Sequence, residues 1–171
     1  MKLPLSLAVL LATAIAAGAA ECPLGEIEKA LSSSLDGLKK LEREVTDVQS
    51  TEGGMWEIYR EKDGRIHSII RIDGGESGMG ERRLSTVSRK AYGIAVTRVD
   101  YMRHAFLEDK GPNATAARKT DYFYFCEGKL YLPPADAAMF DIEAYTANGN
   151  DAQNLMVLDK DVADFTKGLA R

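Results

Sequence analysis

The stretch Met55–Asp73, MWEIYREKDGRIHSIIRID, decides the fold. Its two halves alternate with period two around Lys62-Asp63-Gly64. An Asp-Gly pair between alternating runs signals a hairpin, because glycine supplies the positive φ that a tight turn demands. Met55–Glu61 and Arg65–Ile72 are therefore read as two antiparallel strands. In the second, Ile66, Ser68, Ile70 and Ile72 share one face, and Arg65, His67, Ile69, Arg71 and Asp73 share the other. That is the pattern of a sheet solvated on one side.

Toward the C-terminus, Gly74–Gly80 reads as a glycine-rich loop, Glu81–Ser88 as a strand and Gly93–Leu107 as a long strand. Glu108–Lys119 is a polar loop, and Thr120–Phe125 and Lys129–Leu132 pair around a tight Glu127-Gly128 turn. Tyr122-Phe123-Tyr124-Phe125 puts aromatic rings on both faces, which predicts a strand covered on both sides. After Pro133-Pro134, Asp136–Tyr145 reads as a short helix and Asn148-Gly149-Asn150 as a turn. Leu155, Leu158, Val162, Phe165 and Leu169 then form the stripe of a C-terminal helix that starts near Asn150 or Asp151.

Toward the N-terminus, Leu24, Ile27, Leu31, Leu35, Leu38, Leu41, Val45 and Val48 recur at spacings of three and four. This predicts a helix over 24–48 with a weak point at Gly37. The same positions fit a heptad, so the stripe has two destinations: the chain's own sheet, or a second copy in a dimeric assembly module. The sum is an α+β fold: an N-terminal helix, an antiparallel meander of five to six strands and a C-terminal helix, with both helices packed on one face. No repeat or linker divides residues 21–171, which are expected to form one domain.

Residues 1–20 read as a cleaved export signal. Lys2 supplies the positive start, Leu3–Ala17 the apolar run and Gly18-Ala19-Ala20 the small residues before the cut. The apolar run falls short of the ~20 residues of a spanning helix, and no second such run occurs, so no integral membrane segment is expected after cleavage. Lipidation of Cys22 is disfavoured by the preceding Glu21. The chain is thus expected in the periplasm or outside the cell, where its two cysteines, Cys22 and Cys126, are expected to pair.

Composition then narrows the function. The full chain carries 22 Lys+Arg against 26 Asp+Glu, a net charge of −4 with no basic block, which argues against nucleic-acid binding. There is no CxxC and no Cys/His spacing for zinc, so neither a metal nor a cofactor is expected. His67 and His104 are the only histidines. Either, beside Asp73 or Asp100, is the candidate for a small hydrolase with a His–carboxylate pair. Asp159, Asp161 and Asp164 read as solvated, and Asn148–Asp151 lacks the calcium-loop pattern. Arg82, Arg83, Arg89, Lys90 and Arg98, interleaved with Trp56, Tyr59, Tyr92 and Tyr101, read as a charged outer sheet face.

The segment Gly75-Glu76-Ser77-Gly78-Met79 is the candidate binding site. Gly-Glu-Ser-Gly superficially resembles the nucleophile motif of chymotrypsin-like serine proteases, but their two barrels exceed this chain and the G-x-S-x-G elbow is absent. A nucleotide cradle lacks its Lys-Ser/Thr and would face Asp73, Glu76 and Glu81. Ser77-Gly78 also resembles, in architecture alone, the Ser-Gly loop that small exported bacterial lysozyme inhibitors insert into the enzyme cleft. The resemblance implies a hydrolase inhibitor, and net acidity suits a basic target. The leading expectation is an exported non-enzymatic protein that binds another protein or an envelope component through its sheet face and this loop.

Overall fold

The computed structural model describes residues 22–33, 35–47, 53–102, 114–132 and 141–156. In chain order these form α1 (Leu24–Ser32), α2 (Leu35–Leu38), β1 (Glu42–Asp47), β2 (Gly54–Arg60), β3 (Ile66–Gly74), β4 (Gly78–Thr86), β5 (Ala91–Tyr101), β6 (Thr115–Cys126), β7 (Lys129–Leu130) and α3 (Ile142–Leu155). The strands lie in sequence order from β1 to β7 in one antiparallel sheet. The architecture is α+β with a meander, as the sequence implies, but with seven strands rather than five to six. The Asp63-Gly64 hairpin forms with Gly64 at φ 81°, and the β6–β7 turn is Glu127-Gly128 at φ 53° and 74°.

Both faces of the sheet are covered in its middle. On one face the register aligns Ile58, Ile69, Leu84, Ile94 and Phe123 in a single row across five strands, each at most 3% exposed. Trp56, Tyr92, Phe125, Ala152 and Met156 complete that core, and α3 lies on it. Tyr92 stacks on Phe125 with ring centroids 4.9 Å apart and accepts a 2.6 Å hydrogen bond from Gln153 Nε2 of α3. Asp141 caps α3 by accepting from the Ala144 N–H at 2.9 Å.

The next row, Tyr59, Ser68, Ser85, Gly93 and Tyr124, belongs to the opposite face. Its middle residues are small, so they leave a trough, and α1 lies in it with Ile27 and Leu31 buried among Ala91, Ala95 and Tyr124. A Cβ on Gly93 would sit 2.5 Å from Leu31 and 2.7 Å from Ile27. Ser68 and Ser85, both fully buried, satisfy each other at 3.1 Å, and the Ser68 hydroxyl donates to the Leu84 carbonyl at 2.8 Å. A disulfide joins Cys22, just before α1, to Cys126 at the end of β6. The expected pairing is present.

Several expectations change. The helices do not share one face: α1 and α3 pack on opposite sides, so the half-solvated pattern read from Arg65–Asp73 gives way to burial on both sides. The reason is that β3 carries apolar residues in both registers, with Ile69 and Ile70 each at most 2% exposed. The helix expected over 24–48 ends at Ser32, where the Ser32 and Ser33 hydroxyls donate back to the Lys29 and Ala30 carbonyls and the chain turns extended. Its last part is β1, which pairs with Met55–Arg60 of β2 and is fastened by an ion pair between Arg43 and Glu57. Val45, read as part of the stripe, is 47% exposed, whereas Leu38, the last residue of α2, is buried against Tyr59 and Ile70. The apolar positions read as one stripe are thus divided among α1, α2 and β1.

Boundaries shift elsewhere. β4 begins at Gly78 rather than Glu81, β5 runs over Ala91–Tyr101, and β6 takes in Thr115–Lys119, read from sequence as loop. Asn148-Gly149-Asn150 is not a turn but the middle of α3, which also replaces the short helix expected to end at Tyr145. Gly149 faces Leu130 and Phe123, where a Cβ would come within 3.0 Å of either, so the missing side chain lets the helix approach the sheet. His104, the 133–140 segment and the apolar stripe beyond Met156, with Asp159, Asp161 and Asp164, lie outside the described residues. So do residues 1–21.

Candidate functional site

The glycine segment is a tight hairpin and not an extended loop. Gly74 pairs with Met79 and Asp73 with Gly80, so only residues 75–77 lie outside the strands β3 and β4. Glu76 and Ser77 are exposed at the tip and Gly75 is half-buried. Met79, expected at the tip, sits half-buried within β4 between Gly74 and Val99. The tip is fastened to β5: Tyr101 N–H donates to the Ser77 carbonyl at 2.8 Å, and Gly78 pairs with Asp100.

Gly78 is there for space. A Cβ at this position would lie 2.2 Å from the Val99 carbonyl oxygen, which is backbone and cannot rotate away. Gly78→Ala should therefore force β4 and β5 apart at the tip, with a loss of roughly 1–3 kcal/mol, the ordinary range for overpacking. Thermal denaturation checks the loss, and faster amide exchange at Tyr101 reports the loosened tip. Gly80→Ala serves as the contrast, because nothing lies within 4 Å of its Cβ position.

The open space over Gly80 is a notch with ordered charge around it. Register places Asp73, Gly80 and Arg98 in one row on the α3 face, with Asp100 and Arg82 one step to either side. Together with the tip, Asp73, Gly80, Arg98 and Asp100 line a shallow surface concavity of about 400 Å3, and Arg82 lies beside it. Asp73 is held from below: it accepts from Arg71 Nε at 2.9 and 3.0 Å and from Arg82 Nη1 at 2.5 Å. The Arg71 guanidinium in turn lies 5.1 Å from the ring centroid of buried Trp56. A charge fixed on both sides and backed by an aromatic ring is held in one position. Arg98 and Asp100 are exposed on the far wall.

The tip stands out in the sequence as a glycine-rich segment, whereas its charged support is less conspicuous. The signal was present as two Arg-x-Asp spacings, Arg71-Ile72-Asp73 and Arg98-Val99-Asp100, because residues two apart on a strand share a face. Trp56, Tyr59 and Tyr92, expected on a charged outer surface, are all at most 8% exposed. Arg83 is also not on that surface. Its guanidinium is buried on the α1 side, where it donates to the Ser33 carbonyl and hydroxyl at 2.8 Å each and pins the α1–α2 connection to β4. Burial lowers its pKa, opposed by the Glu81 carboxylate and Tyr59.

His67 is not joined to Asp73 or Asp100. Its Nδ1 lies 2.9 Å from Glu61 Oε1 at the opposite end of the sheet. Glu61 borders a second concavity of about 360 Å3, whose described lining holds no serine, threonine, cysteine or histidine. Among the described residues no group of three His, Cys, Asp or Glu is placed to hold a metal ion, and no helix is long and apolar enough to cross a membrane.

No family model, curated protein or solved structure matches the chain.

Proposed function

We propose that the chain is an exported, non-enzymatic binding protein of the cell envelope that grips a partner protein or an envelope component with the β3–β4 tip and the notch over Gly80. The observation that carries this reading is the clamped tip: Ser77 is exposed while its carbonyl and its neighbour Gly78 are locked to β5. A surface fixed before encounter loses little conformational freedom on binding, which favours recognition. The notch offers charge of both signs, Asp73 and Asp100 against Arg98, and so reads a complementary charged surface. The Cys22–Cys126 disulfide supports an oxidising compartment.

The reading is tested by affinity capture from envelope extract with the mature protein, Ser77→Trp and Gly80→Leu. The expected result is one partner retained by the wild type and lost by both variants, whose thermal midpoints stay close to the wild type. Equal recovery of every partner by all three proteins would sink it. A purified lysozyme is the first defined target to assay, since exposed Ser77 beside Gly78 is the feature shared with the inhibitor loop. Inhibition of lysis by the wild type but not by Ser77→Trp would narrow the partner to a hydrolase cleft.

A further inference from the structure

Among the described residues the outer side of β6 is a long unpaired edge. β5 pairs with β6 along its whole length, from Cys126 to Thr115, whereas β7 pairs only with Phe125 and Cys126. One further bond, from Tyr131 N–H to the Tyr124 carbonyl at 2.7 Å, ends that pairing. Among the described residues nothing pairs with the outer side of residues 115–122. Because Tyr124 directs its carbonyl outward, strand alternation directs the backbone N–H and C=O of Arg118, Thr120 and Tyr122 outward as well. Thr115–Lys119 and Asp121 are exposed, and Tyr122 is 47% exposed. Such an edge is a template for another strand.

The sequence of this edge is complementary to itself. Two copies meeting antiparallel about a twofold axis must set outward-directed residues against outward-directed ones, so the axis falls on a residue. With the axis at Thr120, Lys119 faces the partner's Asp121 and Asp121 faces the partner's Lys119. Arg118 then faces the partner's Tyr122 on the other side of the sheet. Moving the axis to Arg118, Lys119 or Asp121 sets identical charges against each other. Within one chain Lys119 Nζ already lies 3.1 Å from Asp121 Oδ1, so the Thr120 register makes a ring of four alternating charges. The other edge, β1, offers Glu42, Glu44 and Asp47, and its one guanidinium, Arg43, is committed to Glu57.

We propose that β6 pairs with β6 of a second copy of this chain, antiparallel and centred on Thr120, joining two seven-stranded sheets into one. The tip lies at the Thr115 end of β6, so the twofold axis carries the two tips to opposite ends of the joined sheet. Loss of tip binding and loss of self-association are therefore separate observations.

Charge reversal tests the register. In sedimentation equilibrium over about 10–500 µM, a range suited to a small interface, the wild type is expected to dimerise. Lys119→Asp and Asp121→Lys should each weaken association at least tenfold, since each leaves like charges opposed across the axis. An equimolar mixture of the two variants should restore a heterodimer, because one chain then carries two carboxylates and the other two amines. Glu44→Lys on β1 should leave association unchanged, and circular dichroism should show all variants folded as the wild type. A wild type that stays monomeric at the highest concentration would overturn the proposal. So would a dimer indifferent to both reversals, one abolished by Glu44→Lys, or a mixture that fails to associate.

Discussion

Replacing Cys22 and Cys126 by serine is expected to lower the unfolding free energy by roughly 4–5 kcal/mol, much of the margin by which an ordinary domain is folded. The bridge spans 104 residues, so its loss releases a large closed loop in the unfolded chain. It also acts locally. Cys22 lies directly before α1, and the Leu24 N–H donates to the Cys22 carbonyl at 2.8 Å. Without the bridge, α1 is held by Ile27 and Leu31 in the trough and, at its far end, by Arg83 on Ser33. Urea denaturation of the oxidised protein against the double-serine variant measures the change. The midpoint should fall, and the slope should steepen because an uncrosslinked denatured chain exposes more surface. An unchanged midpoint would show that the bridge contributes nothing.

Trp56→Ala should cost about 3–5 kcal/mol, the range for removing a large aromatic side chain from a packed core. Trp56 is fully buried among Ile58, Ile69 and their neighbours on the α3 face. The loss reaches the candidate site, because the Trp56 ring supports the Arg71 guanidinium that holds Asp73. Trp56→Phe keeps a ring at that place and should recover much of the stability. Far-UV circular dichroism in denaturant follows both variants, since Trp56 is the single tryptophan and its fluorescence leaves with it. A cost below about 1 kcal/mol for Trp56→Ala would mean that the core closes over the gap, contrary to the cavity term expected in packed interiors.

The hairpin turns and the aromatic strand were legible in the sequence because both depend on local chemistry. Asp63-Gly64 and Glu127-Gly128 carry the turn residues they need, and Tyr122–Phe125 shows its two faces by composition. What failed was whatever depended on distant partners. Residues 42–47 continue a helical spacing through Val45, yet pairing with β2 and the Arg43–Glu57 contact outweigh that weak local preference. Gly149 reads as a turn residue, and its use as a contact point for a helix needs Phe123 and Leu130 in view. The opposite-face placement of α1 and α3 was likewise hidden, since either face of β3 offers isoleucine. For the candidate site, the tip was visible as glycine-rich sequence. Its fastening to β5 was not, because Tyr101 lies 24 positions beyond Ser77.

The strictly consecutive strand order also sets a timetable for the growing chain. Every strand finds its partner in the segment just before or after it, so hairpins can close one at a time as residues emerge. The first helix cannot follow that schedule. Ile27 rests over Gly93, 66 positions later, and its covalent tether waits for Cys126. The earliest-made element of the described structure is therefore tethered only after six strands have been made, and until β5 arrives its apolar side has no seat of its own.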